Sequence, residues 1–309
     1  MSNPVAAVAA LLSGRLTSAS YAAGWAVVRG LPGGVAVAVF DAGADLAWRR
    51  GGPGVDRLRT NLARVAPEAD PDELTRSALR SYARYWREVF RLPGMTPDSV
   101  AAATEITGRE IFDAGLQAGH GVVLALPHLG NWDTAAVWLL AQGVPFTTVA
   151  ERLRPEALFD RFVAFREGLG MEVLALTGGQ RPPFDVLAER LQAGGVLALL
   201  SDRDLTPRGI EVTLFGARTR LPAGPAALAL RTGAALIPTT LSFRPKGWAI
   251  RFHPAVPTAD PARMTQDLAD AFADGIAAHP QDWHMLQRLW LDDLDADDPR
   301  RASTAGSTG

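Results

Sequence analysis

The sequence contains no cysteine, a single lysine and no apolar run long enough to cross a bilayer. Without cysteine there is no disulfide, thiol nucleophile, iron–sulfur cluster or cysteine-type zinc site, which fits a reducing compartment. Lys246 aside, every basic residue is arginine, and the 31 basic and 33 acidic residues leave a net charge of −2. That balance argues against a dedicated nucleic-acid binder. Two uncharged N-terminal stretches, Leu16–Val28 and Gly30–Phe40, are separated by Arg29, and each falls short of the roughly 18–20 residues a spanning helix needs. Gly30, Pro32, Gly33 and Gly34 also interrupt any continuous helix there. Only Arg15 precedes the first apolar stretch and no cleavage site follows it, so a signal peptide is poorly supported. No G-x-S-x-G elbow occurs, and no histidine pair has H-E-x-x-H or other close metal-ligand spacing. Neither a metal nor a resident cofactor is expected.

What is present reads as an ordinary globular protein: 309 residues, 48% apolar and 21% charged. That length suits one large domain, or a core with a small appendage. Two short apolar helices are expected over about 4–29 and 35–50. Trp25 and Trp48 stand there beside Arg29, Arg49 and Arg50, a mix suited to an anionic membrane surface as well as to packing on the core. Residues 54–92 read as two further helices. Asp70-Pro71-Asp72-Glu73 supplies a cap, a first-turn proline and early acids for the second. Its apolar face runs through Leu74, Ala78, Tyr82, Tyr85 and Val89.

From about residue 105 short apolar runs alternate with helical stretches. The runs are Val122–Pro127, Pro145–Val149, Glu172–Leu176, Val196–Ser201, Glu211–Leu214, Leu236–Leu241 and Trp248–His253. Helical stretches fall near 108–119, 131–142, 155–170, 182–193, 222–233 and 261–279. Such alternation predicts an α/β fold: a single domain whose mixed, mostly parallel sheet of about seven strands has helices on both faces. The short Arg244-Pro245-Lys246-Gly247 connection predicts an antiparallel hairpin at one side. The expected organisation is an N-terminal helical, membrane-associating part over 1–100, a core over 101–294, and a disordered tail over 295–309.

Residues 121–133 are the most informative segment, Gly-Val-Val-Leu-Ala-Leu-Pro-His-Leu-Gly-Asn-Trp-Asp. A buried strand ending at Pro127 puts His128 at a C-terminal sheet edge, where open α/β sheets bind ligands. Gly130 allows a turn and Asn131 can cap the next helix. Asp133, in the first helical turn, stands at a spacing that lets it orient the imidazole and leave one nitrogen as a general base. Spacing alone fits equally a core histidine followed by a capping aspartate. With no protein nucleophile in sight, a His–Asp pair suits activation of a substrate hydroxyl.

His128-Leu-Gly-Asn-Trp-Asp133 resembles the H-x4-D/E box of glycerolipid-type acyltransferases, in the H-x-G-N-W-[DE] form of the lipid A biosynthesis acyltransferase family. Three further blocks resemble that family in order: Ser201-Asp202-Arg203-Asp204 with Gly209–Gly216, Leu221–Pro225 with Ala229–Gly233, and His279-Pro-Gln-Asp-Trp283-His-Met-Leu286. Within it, Glu151-Arg152, the Arg166 helix, Asp202–Leu205 and the 279–286 block resemble an actinobacterial branch acting on phosphatidylinositol mannosides. The branch tends to carry glutamate where this chain has Asp202, one methylene shorter. The resemblance implies acyl transfer from an acyl-CoA, typically palmitoyl, to a mannose hydroxyl at the cytoplasmic face of the plasma membrane, with the enzyme peripheral. It implies acyl-CoA, a glycolipid acceptor and an anionic membrane surface as partners. His128 is then the base and Asp133 its orienting partner. Asp202 holds sugar hydroxyls or the histidine, Glu151 and Asn131 serve acceptor binding, and Arg166 and Arg203 contact phosphate. Two other readings stand beside this one: the same chemistry on another lipid acceptor, and a catalytically silent lipid-binding protein.

Overall fold

The computed structural model describes residues 28–301 apart from 153–155, 179–180 and 205–207. The central sheet has strands β1 (Thr104–Thr107), β2 (Val122–Leu126), β3 (Phe146–Ala150), β4 (Glu172–Ala175), β5 (Val196–Leu200), β8 (Ala235–Phe243) and β9 (Trp248–Phe252). Its order is β1-β9-β8-β2-β5-β3-β4. Every pairing is parallel except β8 with β9, joined through the Arg244–Gly247 turn as the sequence predicts. Strand β2 is buried at every position. Val122, Leu124 and Leu126 pack into one apolar cluster, Val123 and Ala125 into the other, so both faces are covered.

Helices α5 (Arg109–Gln117), α6 (Trp132–Ala141) and α7 (Glu156–Gly168) contribute to the first cluster through Phe112, Trp138 and Phe159. Helices α8 (Pro183–Gln192), α9 (Gly224–Thr232) and α10 (Pro261–Ala278) contribute to the second through Leu191, Leu228 and Phe272. Helices α2 (Pro53–Val65) and α3 (Pro71–Arg91), with the short α4 (Pro97–Ala102), precede the sheet. Asp70 caps α3 as expected, accepting from the backbone N–H of Asp72 and Glu73.

Two strands depart from the sequence reading. The run expected as a sheet strand over Glu211–Leu214 is β6 (Ile210–Leu214), which pairs antiparallel only with β7 (Ala217–Leu221) in a separate hairpin. Phe215 and Gly216 turn it with φ of 48° and 72°, the positive pair a two-residue hairpin turn requires. The seventh strand of the sheet is β1, a four-residue edge strand too short to show a period.

The expected 35–50 helix is α1 (Gly33–Arg50); the expected 4–29 helix, with Trp25, lies almost wholly outside the described residues. Ala36 and Ala44 of α1 are buried, Phe40 meets Phe90, and Asp45 takes paired hydrogen bonds from both Arg76 and Arg80. Trp48 is half-buried against the core, with the Arg76 guanidinium 5.4 Å from its ring centroid. Val35, Val39 and Leu46 remain exposed on α1. Within the segment expected as a tail, Pro299–Arg301 forms a 3-10 turn, and Arg220 donates to the Arg300 carbonyl. Residues 302–309 lie outside the described residues.

Candidate active site

Because β2, β5 and β3 are parallel neighbours, the residues that follow them emerge at one sheet edge. His128 follows β2, Asp202 follows β5 and Glu151 follows β3. His128 Nδ1 lies 2.5 Å from Asp202 Oδ1. Asp202 Oδ2 accepts from the His128 backbone N–H at 2.9 Å and from the Trp283 indole N–H at 3.0 Å. Asp202 is fully buried. Burial works to raise its pKa, but the attraction of His128 and these donors outweigh it and hold the carboxyl below the usual aspartate value. An ionised carboxylate only accepts, so the Nδ1 facing it is the donor.

This corrects the expected pairing. Asp133 is five residues from His128, yet its carboxylate accepts from the Tyr85 hydroxyl at 2.9 Å and from Arg166 Nε at 2.9 Å. The physical reason is the cap. Asn131 Oδ1 accepts from the N–H groups of Asp133 and Thr134, which starts α6 at Trp132, and buried Asp133 lines the cavity under that helix. Asn131 thus caps α6 as expected, and its side chain is spent there rather than open to an acceptor. Its side chain is buried, with Oδ1 spent on the cap and Nδ2 donating to Glu88 Oε2 at 2.9 Å. Glu88 further accepts from Arg84 and from the Trp248 indole.

Arg166, expected at a phosphate, turns its guanidinium onto Asp133 and is mostly buried. Burial opposes its charge, but the adjacent carboxylate outweighs this and raises its pKa above the ordinary arginine value. For Tyr85, burial first and the Asp133 charge second push the hydroxyl well above the usual tyrosine value, so it remains a donor. Arg203 and Glu151 face each other across 3.8 Å at the same edge as His128, with Glu151 the more exposed.

Gly130 makes the loop after His128 possible. Its φ is 62°, and a Cβ there would stand 3.0 Å from the Leu241 backbone. Trp132 lies edge-on to His128, ring centroids 5.5 Å apart, and stacks at 4.3 Å on Tyr85. Beneath α6, next to Trp132, Asp133 and Arg166, opens an apolar cavity walled by Leu124, Trp138, Phe146 and Phe252 among others.

Three partners were not singled out from sequence. Ser81 and Glu88 break the apolar period of α3 while being buried on it, and polar residues on a buried face are the signal that marks them. Trp283 lies in the 279–286 block, and nothing in that pattern alone gives it a role.

A family model, bacterial lipid A biosynthesis acyltransferase, matches residues 10–292. A Mycolicibacterium smegmatis protein named phosphatidylinositol mannoside acyltransferase is 53% identical over 296 residues, covering 94% of this chain and 96% of that protein. A Mycobacterium tuberculosis protein of the same name is 54% identical over 285 residues, covering 90% of each. With a paired histidine and carboxylate at the sheet edge and a match across nearly the whole chain, the protein belongs to the bacterial lipid A biosynthesis acyltransferase family.

Proposed function

We propose that this protein transfers a fatty acyl group, palmitoyl in the first instance, from acyl-CoA to a mannose hydroxyl of a phosphatidylinositol mannoside. The observation that carries the chemistry is the His128–Asp202 pair: a buried, ionised carboxylate accepts from Nδ1, and in this reading Nε2 acts as the base. In the reaction, Nε2 takes the acceptor hydroxyl proton as its oxygen bonds the thioester carbonyl carbon. The negative charge of Asp202 stabilises the imidazolium that forms. The tetrahedral oxyanion then collapses, the carbon–sulfur bond breaks, and the imidazolium proton passes to the departing CoA thiolate. The acyl ester, free CoA and neutral histidine result, so no resident cofactor is consumed.

The apolar cavity beside Trp132 supports the acyl part of this reading, because an alkyl chain gains by leaving water for apolar walls. The acceptor reading rests on the two relatives, whose names specify it. Arg203 and Glu151, polar and partly open at the same edge, suit a sugar headgroup. Peripheral attachment to the cytoplasmic face of an anionic membrane is supported by α1, where exposed Val35, Val39 and Leu46 run toward Arg49 and Arg50. Among the described residues no helix is long and apolar enough to cross a membrane.

Thiol release from palmitoyl-CoA, with and without a phosphatidylinositol mannoside fraction and with mass spectrometry of the lipid, tests the proposal. Acceptor-dependent CoA release with one added palmitoyl mass is the expected result. Slow, acceptor-independent release by folded protein refutes the acceptor. No release at all refutes the reaction.

A further inference from the structure

Trp283 is completely buried, in the loop segment that follows α10. Backbone contacts fasten this segment to the catalytic loop. Leu129 and Trp283 form an antiparallel bridge, Gly130 N–H donates to the Asp282 carbonyl at 2.9 Å, and His284 N–H donates to the His128 carbonyl at 2.8 Å. Side chains anchor the segment from behind. Asp282 Oδ1 accepts from Ser81 of α3 at 2.8 Å, and its Oδ2 accepts from the Phe243 N–H at the end of β8. The Ser81 hydroxyl also lies 3.1 Å from His284 Nε2. The Trp283 ring rests between Phe215 and Trp290, and its N–H reaches Asp202. Neighbouring Trp290 is equally buried, but its N–H has no hydrogen-bond partner among the described residues. Burial alone therefore does not oblige an indole here to bond a carboxylate.

An aspartate carboxylate turns easily about its last torsion, whose well is broad. Its angle is set by its partners. Oδ1 must meet His128 Nδ1, and Oδ2 is gripped by the His128 N–H and the Trp283 indole. We infer that Trp283 is a positioning residue of the acyl-transfer reaction, its indole N–H holding the Asp202 carboxylate at the angle that keeps His128 Nε2 a base. The inference rests on the reading of His128 as that base. Trp283 touches no reacting atom. It acts through Asp202, and the anchored 282–284 segment keeps it in place.

The test uses the full chain carrying Trp283→Phe, which keeps an aromatic ring and deletes the N–H. Loss of one hydrogen bond to a charged group corresponds to a fall of about tenfold in kcat for acceptor-dependent CoA release. KM for palmitoyl-CoA stays within about twofold, since substrate contacts are untouched. In proton NMR with nitrogen-15-labelled histidine, the downfield His128 Nδ1–H resonance moves, a signature that a purely packing role leaves unchanged. Should the Phe variant misfold, benzothienylalanine at position 283 keeps the two-ring shape without the N–H and carries the same expectations. A folded variant with unchanged kcat and an unmoved Nδ1–H resonance overturns the inference. His128→Ala separates the two ideas. Turnover by that variant defeats the base reading and this inference together. An inactive His128→Ala beside a fully active Trp283→Phe defeats the inference alone.

Discussion

His128 and Asp202, 74 residues apart in sequence, meet with Nδ1 2.5 Å from Oδ1, while Asp133, five residues from the histidine, serves Arg166 and Tyr85 instead. Two buried carboxylates of one site thus have separate tasks. One bonds the histidine proposed as the base, and the other neutralises the mostly buried Arg166 that lines the cavity beneath α6.

The two aspartates should fail in different ways. Asp202→Asn keeps the size and removes the charge that supports the imidazolium. It is expected to lower kcat by about 10²–10⁴-fold with little loss of melting temperature. Asp133→Ala strands the mostly buried Arg166 guanidinium and is expected to cost about 3–5 kcal/mol of stability. Thiol release and denaturant unfolding on the same preparations check both. Equal stability loss in the two variants would refute the division of labour.

The cavity sets a prediction about chain length. Ala198 lines it from β5. Ala198→Leu adds bulk at the wall, at a cost of about 1–3 kcal/mol in packing. In competition between palmitoyl-CoA and lauroyl-CoA, the lipid product should shift toward the shorter acyl mass. An unchanged product ratio would place the acyl chain elsewhere.

Stability should depend on pH through two buried histidines. Burial lowers His284 to about 3, with His128 adding in the same direction. It lowers His253 to about 4, Arg251 adding to the effect and Asp274 opposing it. Both are neutral when folded at pH 6, whereas the unfolded chain takes up protons near pH 6.5. The unfolded state therefore binds more protons between about pH 6.5 and 4, and stability falls as pH falls through that window. Each histidine contributes a slope of up to about 1.4 kcal/mol per pH unit. Between pH 5 and 6.5 carboxylates of ordinary pKa contribute little. Urea unfolding across that range measures the slope, and replacement of His253 by Gln should reduce it. A flat profile would contradict the burial of these rings.

Membrane attachment should reside in one stripe of α1. Changing Val35, Val39 and Leu46 to Ser removes apolar surface that is already exposed, so the fold is little affected. Co-sedimentation with anionic vesicles is expected to drop several-fold, and acyl transfer to micellar acceptor to persist. Undiminished sedimentation would move the contact to another part of the chain.

The sequence by itself determined the class of fold and the location of the histidine proposed as the base. Strand–helix alternation specifies the doubly covered parallel sheet, because a strand covered on both faces must be apolar throughout, as β2 is. Pro127, His128, Gly130 and Asn131 announce a strand end, a turn and a helix cap through local stereochemistry that needs no distant partner. Only the tertiary structure decided which carboxylate serves His128. Local spacing favoured Asp133, but the Asn131 cap begins α6 and Asp133 is spent on Tyr85 and Arg166, while the parallel pairing of β2 with β5 brings Asp202 alongside. The same holds for strand membership: Ile210–Leu214 has the pattern of a sheet strand, yet the positive φ of Phe215 and Gly216 folds it back into its own hairpin. Sequence spacing reports on neighbours along a chain. Sheet order, set by burial of the whole core, chooses the neighbours in space.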